Sequence, residues 1–475
     1  MTAYPLPRWY TPLRLLAIFC ATNLFVYMDR GLIASNGVNG SPRTDTSPGS
    51  GIQGEFGLTY FQDGLLPAAF MVGLLISAPI FAEVCKQYSA FRLMGIGMAV
   101  WSAACMLASA APNFGLFITC RAFVGVGEAS FVALAAPFID DRAPPLLKAR
   151  WFAAFYLCIP VGFALGYIAG GLLAPALGWR STFLLEGLAM LPFVAFALTG
   201  GAGWGEGKAE GNAVGRRWLH HVRSFLRDVQ MVGSQPVWLL LAAGYTLYVA
   251  VMGVYAYWGP QAGRALFFPE GQGEQADLVF GGVTVITGVL GSVAGGVLLD
   301  WSGGTMRHAN LICMASVLLG LLVLLPAFLA THSFPAFMTA FGVGQFLIFS
   351  LQAPVAVVQM WSVPQPLRAL GASLITVLIH LLGDVPSPPL LGLLQSKLSS
   401  GLPPDAAAEK WRVSMSLVTM LLLFSGLLFG LAARASNPSA DFRLRLPILE
   451  SGGSGSDSAP LLADDEEDRS SRVAV

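Results

Sequence analysis

The chain has 475 residues, of which 55% are hydrophobic and only 11% are charged, with a mean hydropathy of +0.65. Soluble domains carry about 25% charged residues, so this composition excludes an ordinary soluble protein and predicts an all-α membrane protein. The formal net charge of +0 gives no basis for predicting a nucleic-acid partner.

Twelve apolar runs of roughly membrane-spanning length follow one another along the chain. Their predicted bounds are 13–34, 60–82, 90–111, 113–139, 150–175, 181–200, 237–260, 277–300, 308–330, 335–361, 368–394 and 412–434. The predicted organisation is an N-terminal segment (1–12), a six-helix half (13–200), a basic linker (201–236), a second six-helix half (237–434) and an acidic tail (435–475). Two equal halves are the layout of secondary transporters built from internal repeats.

Basic residues are distributed unevenly between the two sides of the predicted membrane. Most of the Lys and Arg residues fall on the side of the two termini. The loops on the opposite side hold only six: Arg43, Arg180, Arg264, Lys397, Lys410 and Arg412. The positive-inside rule therefore predicts that both termini are cytosolic.

Three polar segments interrupt the apolar pattern. The segment 35–55 is rich in Gly, Ser and Pro, and we expect a disordered external loop with a glycosylation acceptor at Asn39. The linker 201–236 is predicted to be flexible, with an amphipathic stretch on the membrane surface. The acidic tail is predicted to be disordered on composition.

Charged residues inside apolar spans are costly, so each is a candidate for function. The first span contains Asp29 and Arg30, and the fourth contains Arg121 and Glu128. Seven residues separate Arg121 from Glu128, so both lie on one helix face, and each is expected to pair with a charge on the first span. Two interpretations stand. The pairs form a site for protons and an anionic headgroup, or they form a neutral network that only holds the first half together.

The eleventh and seventh spans carry further candidates. His380 and Asp384 are four residues apart in a proline-rich stretch of the eleventh span; they are predicted either to contact substrate or protons in a broken helix or to mark a simple kink. In the seventh span, Tyr248 and Tyr255 are two turns apart and are candidates for a cavity wall, whereas Tyr257 and Trp258 are predicted to form an interfacial belt. No cluster of catalytic or metal-ligating residues occurs, so neither enzymatic activity nor a metal or cofactor is predicted.

Several motifs resemble those of a known family. The stretch from Gly291 to Gly303, with Asp300 between, and the Gly178-Trp179-Arg180 motif resemble signatures of the major facilitator superfamily. Within it, the runs 23–30, 121–130 and 379–386 resemble the spinster family, and the long loop after the first span is most similar to its plant branch.

The resemblance implies the major facilitator superfamily fold and transport of sphingolipids or lysolipids, such as phosphorylated sphingoid bases or lysophospholipids, in some members coupled to protons. It places Asp29, Arg30 and Glu128 at the family's inner polar site. Lys86 stands where the superfamily usually has Asp, while Asp300 keeps the second-half pattern, so the resemblance implies either asymmetric gating or a transport cycle that differs from the usual one. The resemblance implies a late endosomal, lysosomal or vacuolar membrane, with the mitochondrial inner membrane or plasma membrane as alternatives.

The tail contains an Asp457-to-Leu462 run, with Leu461 beside Leu462, that resembles an acidic dileucine signal. It predicts a cytosolic sorting adaptor as a partner. Taken together, the sequence predicts an alternating-access lipid carrier. The alternatives are a carrier of another small organic anion or sugar, and a non-transporting membrane scaffold or sensor.

Overall fold

The computed structural model describes residues 11–43, 47–85, 88–142, 148–200, 225–268 and 273–443. Within these residues, twelve helices are long and apolar enough to cross a membrane, which confirms the predicted number of spans. We number them α1 to α12 in chain order; α10, α11 and α12 each consist of consecutive helical segments. The bounds are Pro12–Ala34, Tyr60–Val84, Ala90–Ser109, Phe114–Arg142, Lys148–Leu177, Trp179–Gly200, Pro236–Phe267, Gly273–Trp301, Met306–Ala330, Phe334–Phe349 with Gln352–Trp361, Arg368–Ile379 with His380–Asp384 and Ser387–Ser399, and Pro404–Thr419 with Leu421–Ala435.

Each half packs mainly on itself, and the two halves meet along two helix pairs. In the first half α1 packs on α5, α2 on α4, and α3 on α4 and α6; in the second, α12 packs on α7 and α9, and α10 on α8 and α9. The halves meet where α5 contacts α8 and where α2 contacts α11. These two seams frame the space between the halves.

The seventh helix continues beyond its predicted end at 260. Pro260 lies inside α7, and a proline has no N–H to donate to the carbonyl four residues before it. The hydroxyl of Tyr167, from α5 in the other half, donates a hydrogen bond to that free carbonyl of Ala256. The helix therefore continues to Phe267, because Tyr167 of the first half supplies the hydrogen-bond donor that Pro260 cannot give to the Ala256 carbonyl.

The segment 35–55 is folded where it is described, so the predicted disorder is wrong there. It forms the short helices Asn36–Asn39 and Gly51–Phe56, and Val38 and Ile52 are fully buried. The Asn39 side chain is also buried, and its amide donates to Asp63 at 3.0 Å. The side chain predicted to carry a glycan is thus part of the protein interior.

The start of the predicted disordered tail is also folded. The backbone N–H of Phe442 donates to the carbonyl of Trp361 at 3.0 Å, and the Arg443 guanidinium lies 3.3 Å from the centre of the Trp361 ring. Residues 436–443 therefore pack on the end of α10, because Arg443 finds both an aromatic face and the carboxylate of Asp441 there. Residues 201–224 of the predicted linker, and the tail from 444 onward, lie outside the described residues.

Candidate functional site

Two ion pairs join α1 to α4 in the middle of the first half. Arg121 donates from both terminal nitrogens to the two oxygens of Asp29, each at 2.7 Å, and Arg30 donates to Glu128. Asp29 and Glu128 are 0% exposed and Arg121 is 1% exposed. The predicted pairing of one acid and one base from each helix is confirmed; the roles of these residues in transport stay predictions.

A cavity of about 840 Å³ lies between the two halves and meets this site. Arg30 and Arg121 line it, whereas Asp29 and Glu128 stand behind them and do not. The cavity therefore faces guanidinium groups, and the carboxylates that balance them are in the protein interior. Arg30 is further held over the Phe70 ring, 4.6 Å from its centre, which orients the guanidinium by cation–π contact.

The remainder of the cavity wall is mostly apolar and comes from both halves. Phe70, Met71 and Phe163 of the first half face Met252, Phe280 and Phe349 of the second, with a few polar groups between them. Tyr156 and Leu157, which also line the cavity, are 51% and 45% exposed. The cavity, which we also call the chamber, is thus amphipathic: two cationic groups lie on one side, and the rest of its wall is mostly apolar.

The eleventh helix is broken, as predicted from its prolines. The His380–Asp384 segment forms a π-helical turn, in which the Val385 N–H donates to the His380 carbonyl at 3.0 Å. His380 Nδ1 lies 3.0 Å from an oxygen of Asp384, and Asp384 lines the cavity. Of the two candidates, only Asp384 therefore reaches the chamber directly.

The aromatic residues of α7 do not all lie where the sequence predicts. Tyr255 lines the cavity and shares a hydrogen bond with Thr419 at 2.6 Å, whereas Tyr248 is buried and stacks on Tyr245. Tyr257 and Trp258 are 4% and 0% exposed, so the predicted interfacial belt is wrong. Their polar atoms have partners inside the protein, which is why burial is tolerated.

One face of the molecule is closed by hydrogen bonds between the halves. We call it the loop face, because the 35–55 segment lies there. Asn36 donates to Asp277 of α8 from its backbone N–H at 2.9 Å and from its side chain at 2.8 Å, and Tyr257 donates to Asp63 of α2 at 2.7 Å. Gln53, which also donates to Asp63, exchanges a hydrogen bond with Gln261 at 3.1 Å.

Sequence reasoning missed the acids of this seam, Asp63 and Asp277, and also Glu186 of α6, all three of them buried. Each is a single carboxylic acid inside or at the edge of an apolar span, so the rule that selected Asp29 would have found them. They were missed because they belong to no motif, and only the three-dimensional structure shows what surrounds them.

Of the predicted gating and sorting residues, only Asp300 belongs to the described part of the chain. Asp300 is exposed at the end of α8, and within the described part of the chain its carboxylate forms no ion pair within 4.0 Å. Lys86, Asp457, Leu461 and Leu462 lie outside the described residues, so their predicted roles stay predictions.

Comparison with known proteins now identifies the family. The Major Facilitator Superfamily model matches residues 19–388. Two proteins of Arabidopsis thaliana named probable sphingolipid transporters are similar over most of their length: spinster homolog 2 is 41% identical, covering 88% of this chain and 86% of that protein, and spinster homolog 1 is 40% identical, covering 94% of each. The chain belongs to the spinster family. It is a spinster-type membrane transporter.

Solved structures agree on the spinster fold. A bacterial homolog of the human lysosomal transporter Spinster, in an inward-facing and unoccupied conformation, superposes with a TM-score of 0.75 at 16% identity, covering 90% of this chain and 98% of that one. A peptide transporter also superposes, with a TM-score of 0.66 at 12% identity and coverage of 91% and 97%. Carriers of different substrates share this fold, so the fold by itself does not specify the substrate.

Proposed function

We propose that this protein is an alternating-access carrier of single-chain lipids with an anionic headgroup, such as phosphorylated sphingoid bases or lysophospholipids. The observation that carries the proposal is the asymmetry of the charged site. Arg30 and Arg121 line the cavity while their carboxylate partners stand behind them. A phosphate group entering the cavity meets two guanidiniums before it meets any acid of that cluster, and arginine binds phosphate with two parallel hydrogen bonds.

The shape and chemistry of the chamber suit a lipid. Its volume of about 840 Å³ falls within the ~300–1,000 Å³ typical of small-molecule sites. Phe70, Phe163, Phe280 and Phe349 offer apolar surface from both halves, where an acyl or sphingoid chain gains roughly 0.8 kcal/mol for each buried methylene group.

The rival cargoes fit this wall less well. A sugar carrier needs a ring of hydrogen-bonding side chains, and a small organic anion makes no use of the aromatic surface. The names of the Arabidopsis relatives support a sphingolipid over both. Membership of a transporter superfamily and the chamber between the halves argue against a scaffold or sensor.

Proton coupling is part of the proposal. An anionic headgroup that takes a guanidinium from Asp29 or Glu128 leaves a buried carboxylate without its counter-charge, and such a group favours its protonated form. Substrate binding then promotes proton uptake by Asp29 or Glu128, with Asp384 as a further acid at the chamber wall.

The proposed location is a late endosomal, lysosomal or vacuolar membrane. The dileucine run at Leu461 and Leu462, on the predicted cytosolic side, supports delivery by a sorting adaptor.

Uptake into proteoliposomes tests the proposal. Reconstituted protein should take up a labelled phosphorylated sphingoid base and a lysophospholipid, and an inward proton gradient should accelerate both. The paired variant Arg30→Gln/Glu128→Gln removes one guanidinium together with its partner, so that no buried charge is orphaned. We expect it to lose uptake of the anionic lipids while remaining folded.

The matched control is Arg412→Gln/Glu409→Gln, which removes an ion pair that joins residues three apart on α12 and lies outside the cavity lining. It should transport like the wild type. Uptake of sugars or short organic anions in place of lipids would contradict the substrate class, and uptake indifferent to the gradient would contradict the coupling.

A further inference from the structure

A third buried acid lies beside the two ion pairs. Glu186, on α6, is 3% exposed. Neither of its carboxylate oxygens has a hydrogen-bond donor among the described residues. One oxygen from each of Glu186 and Asp29, together with Cys105 Sγ, lies within 4.8 Å of the others. Glu186 thus has a second carboxylate within 4.8 Å, and two ionised acids buried that close together disfavour each other.

The charges of this cluster do not balance without a proton. It contains three acids, Asp29, Glu128 and Glu186, and two bases, Arg30 and Arg121. Each arginine already pairs with one acid, so an ionised Glu186 would be an unpaired buried anion in an apolar span, which is strongly disfavoured. With Glu186 neutral, the five groups together carry no net charge.

A metal ion is a poorer way to balance the cluster. Asp29, Cys105 and Glu186 carry ligand-type atoms, but both oxygens of Asp29 already accept hydrogen bonds from Arg121 at 2.7 Å. A divalent cation bound there would be repelled by the positively charged guanidinium of Arg121. The proton is the cation that fits.

The groups facing Glu186 come from three neighbouring helices. Asp29 comes from α1, Cys105 from α3, and Arg121 and Glu128 from α4. Helix α5, which also packs on α6, has no charged residue between 154 and 177. At the loop-face end of α6, Arg180 is paired with Glu55 at 2.6 Å, so it does not compensate Glu186.

We infer that Glu186 is a proton-binding residue of the carrier, holding a proton that it shares with Asp29 in the conformation seen here. The coupling half of this inference rests on the proposed function. When a headgroup anion draws Arg121 away from Asp29, two adjacent acids lose their only cation. One further proton from the cavity then binds to the Asp29 carboxylate, giving two neutral carboxyls. Anion and proton therefore favour each other's binding, as linkage requires.

Infrared spectroscopy of the purified protein in lipid nanodiscs tests proton occupancy without any transport. A protonated carboxyl has a C=O stretch that is separate from the stretches of a carboxylate. At neutral pH we expect Glu186→Gln to lose one such band and to unfold at the wild-type temperature, because the amide replaces a neutral group. Glu409→Gln, at an acid that is 61% exposed, should keep the band.

Two outcomes overturn the inference at this stage. The first is a carboxyl band that persists in Glu186→Gln. The second is a Glu186→Gln protein that fails to fold, since a site for a neutral acid tolerates an amide and a site for an anion does not.

Proton movement tests the coupling. In proteoliposomes loaded with a pH-sensitive dye, lipid uptake by the wild type should carry protons, and Asp29→Asn/Glu186→Gln, which removes both acids that bind them, should lose that proton signal. Protons moved equally by both proteins would refute the coupling role of this acid pair. If the wild type moves no lipid at all, the proposed function fails, while the infrared result still decides whether Glu186 holds a proton.

Discussion

The paired charges of α1 and α4 show how single residues set the polarity of the site. Asp29 and Arg30 are neighbours on α1, and their partners stand two turns apart on α4. An isolated charge at the centre of a spanning helix costs about 2.5–3.5 kcal/mol on insertion scales, and pairing offsets this cost. The carboxylates take the interior side of each pair, so the arginines are left to face the cavity.

The bidentate pair predicts a large effect of removing one partner. Asp29→Asn leaves Arg121, which is 1% exposed, without its counter-charge, and we expect a loss of about 3–5 kcal/mol in the free energy of unfolding. Thermal unfolding in detergent measures it. The double variant Asp29→Asn/Arg121→Gln should recover most of the loss, and a single variant as stable as the wild type would show that the pair is not needed for folding.

At the scale of helices, the contact of α2 with α11 depends on glycine. A methyl group at Gly392 would stand 2.1 Å from the carbonyl oxygen of Tyr60, and one at Gly64 would stand 2.6 Å from that of Pro388. Backbone atoms cannot move aside as a flexible side chain can. The break in α11 and the small residues that follow it thus let the halves approach closely along this seam.

We therefore predict that Gly392→Ala favours a conformation with the loop face open. The overpacking costs about 1–3 kcal/mol only while α2 and α11 are in contact. The ratio of open to closed loop-face conformations should therefore rise by roughly 5–150-fold. Spin labels at Thr59 and His332, on opposite halves at the loop face, report the distance between them. Gly282→Ala is the matched control, because nothing lies within 4 Å of the added methyl. An unchanged distance distribution in Gly392→Ala would contradict the role of the contact.

At the scale of the whole molecule, the 35–55 segment connects the two halves. Asn36 reaches α8 at Asp277 and α7 at the carbonyl of Pro260, and Arg264 of α7 donates back to the carbonyl of Gly40. Such bonds exist only while the loop face is closed. The segment therefore stabilises one side of the alternating-access equilibrium.

Asn36→Ala removes two of these side-chain bonds and should weaken closure by about 1–3 kcal/mol. The same pair of spin labels should report a longer mean distance at the loop face. Asn310→Ala is the control: it removes side-chain bonds to Met306 of α9 and to Ser436, directly after α12, and should leave the distance unchanged. A loop face equally closed in both variants would mean that the segment lies over the contact between the halves without stabilising the closed state.

The sequence by itself determined the twelve spans, their division into two halves, and the four charges of the central site. These features follow from local physics. A helix in lipid must satisfy its own backbone and needs a fixed apolar length, and a charge within such a run stands out against it.

Only the tertiary structure decided which groups share an environment. The 35–55 segment is polar in composition, yet its described part is folded, and there Asn36 bonds to Asp277, 241 residues away along the chain. Tyr257 and Trp258 are buried because Asp63 and Pro388 supply their partners. Glu186 becomes a candidate for proton binding because α1, α4 and α6 bring three acids and two bases together. Contacts between distant residues decide such questions, and no local pattern encodes them.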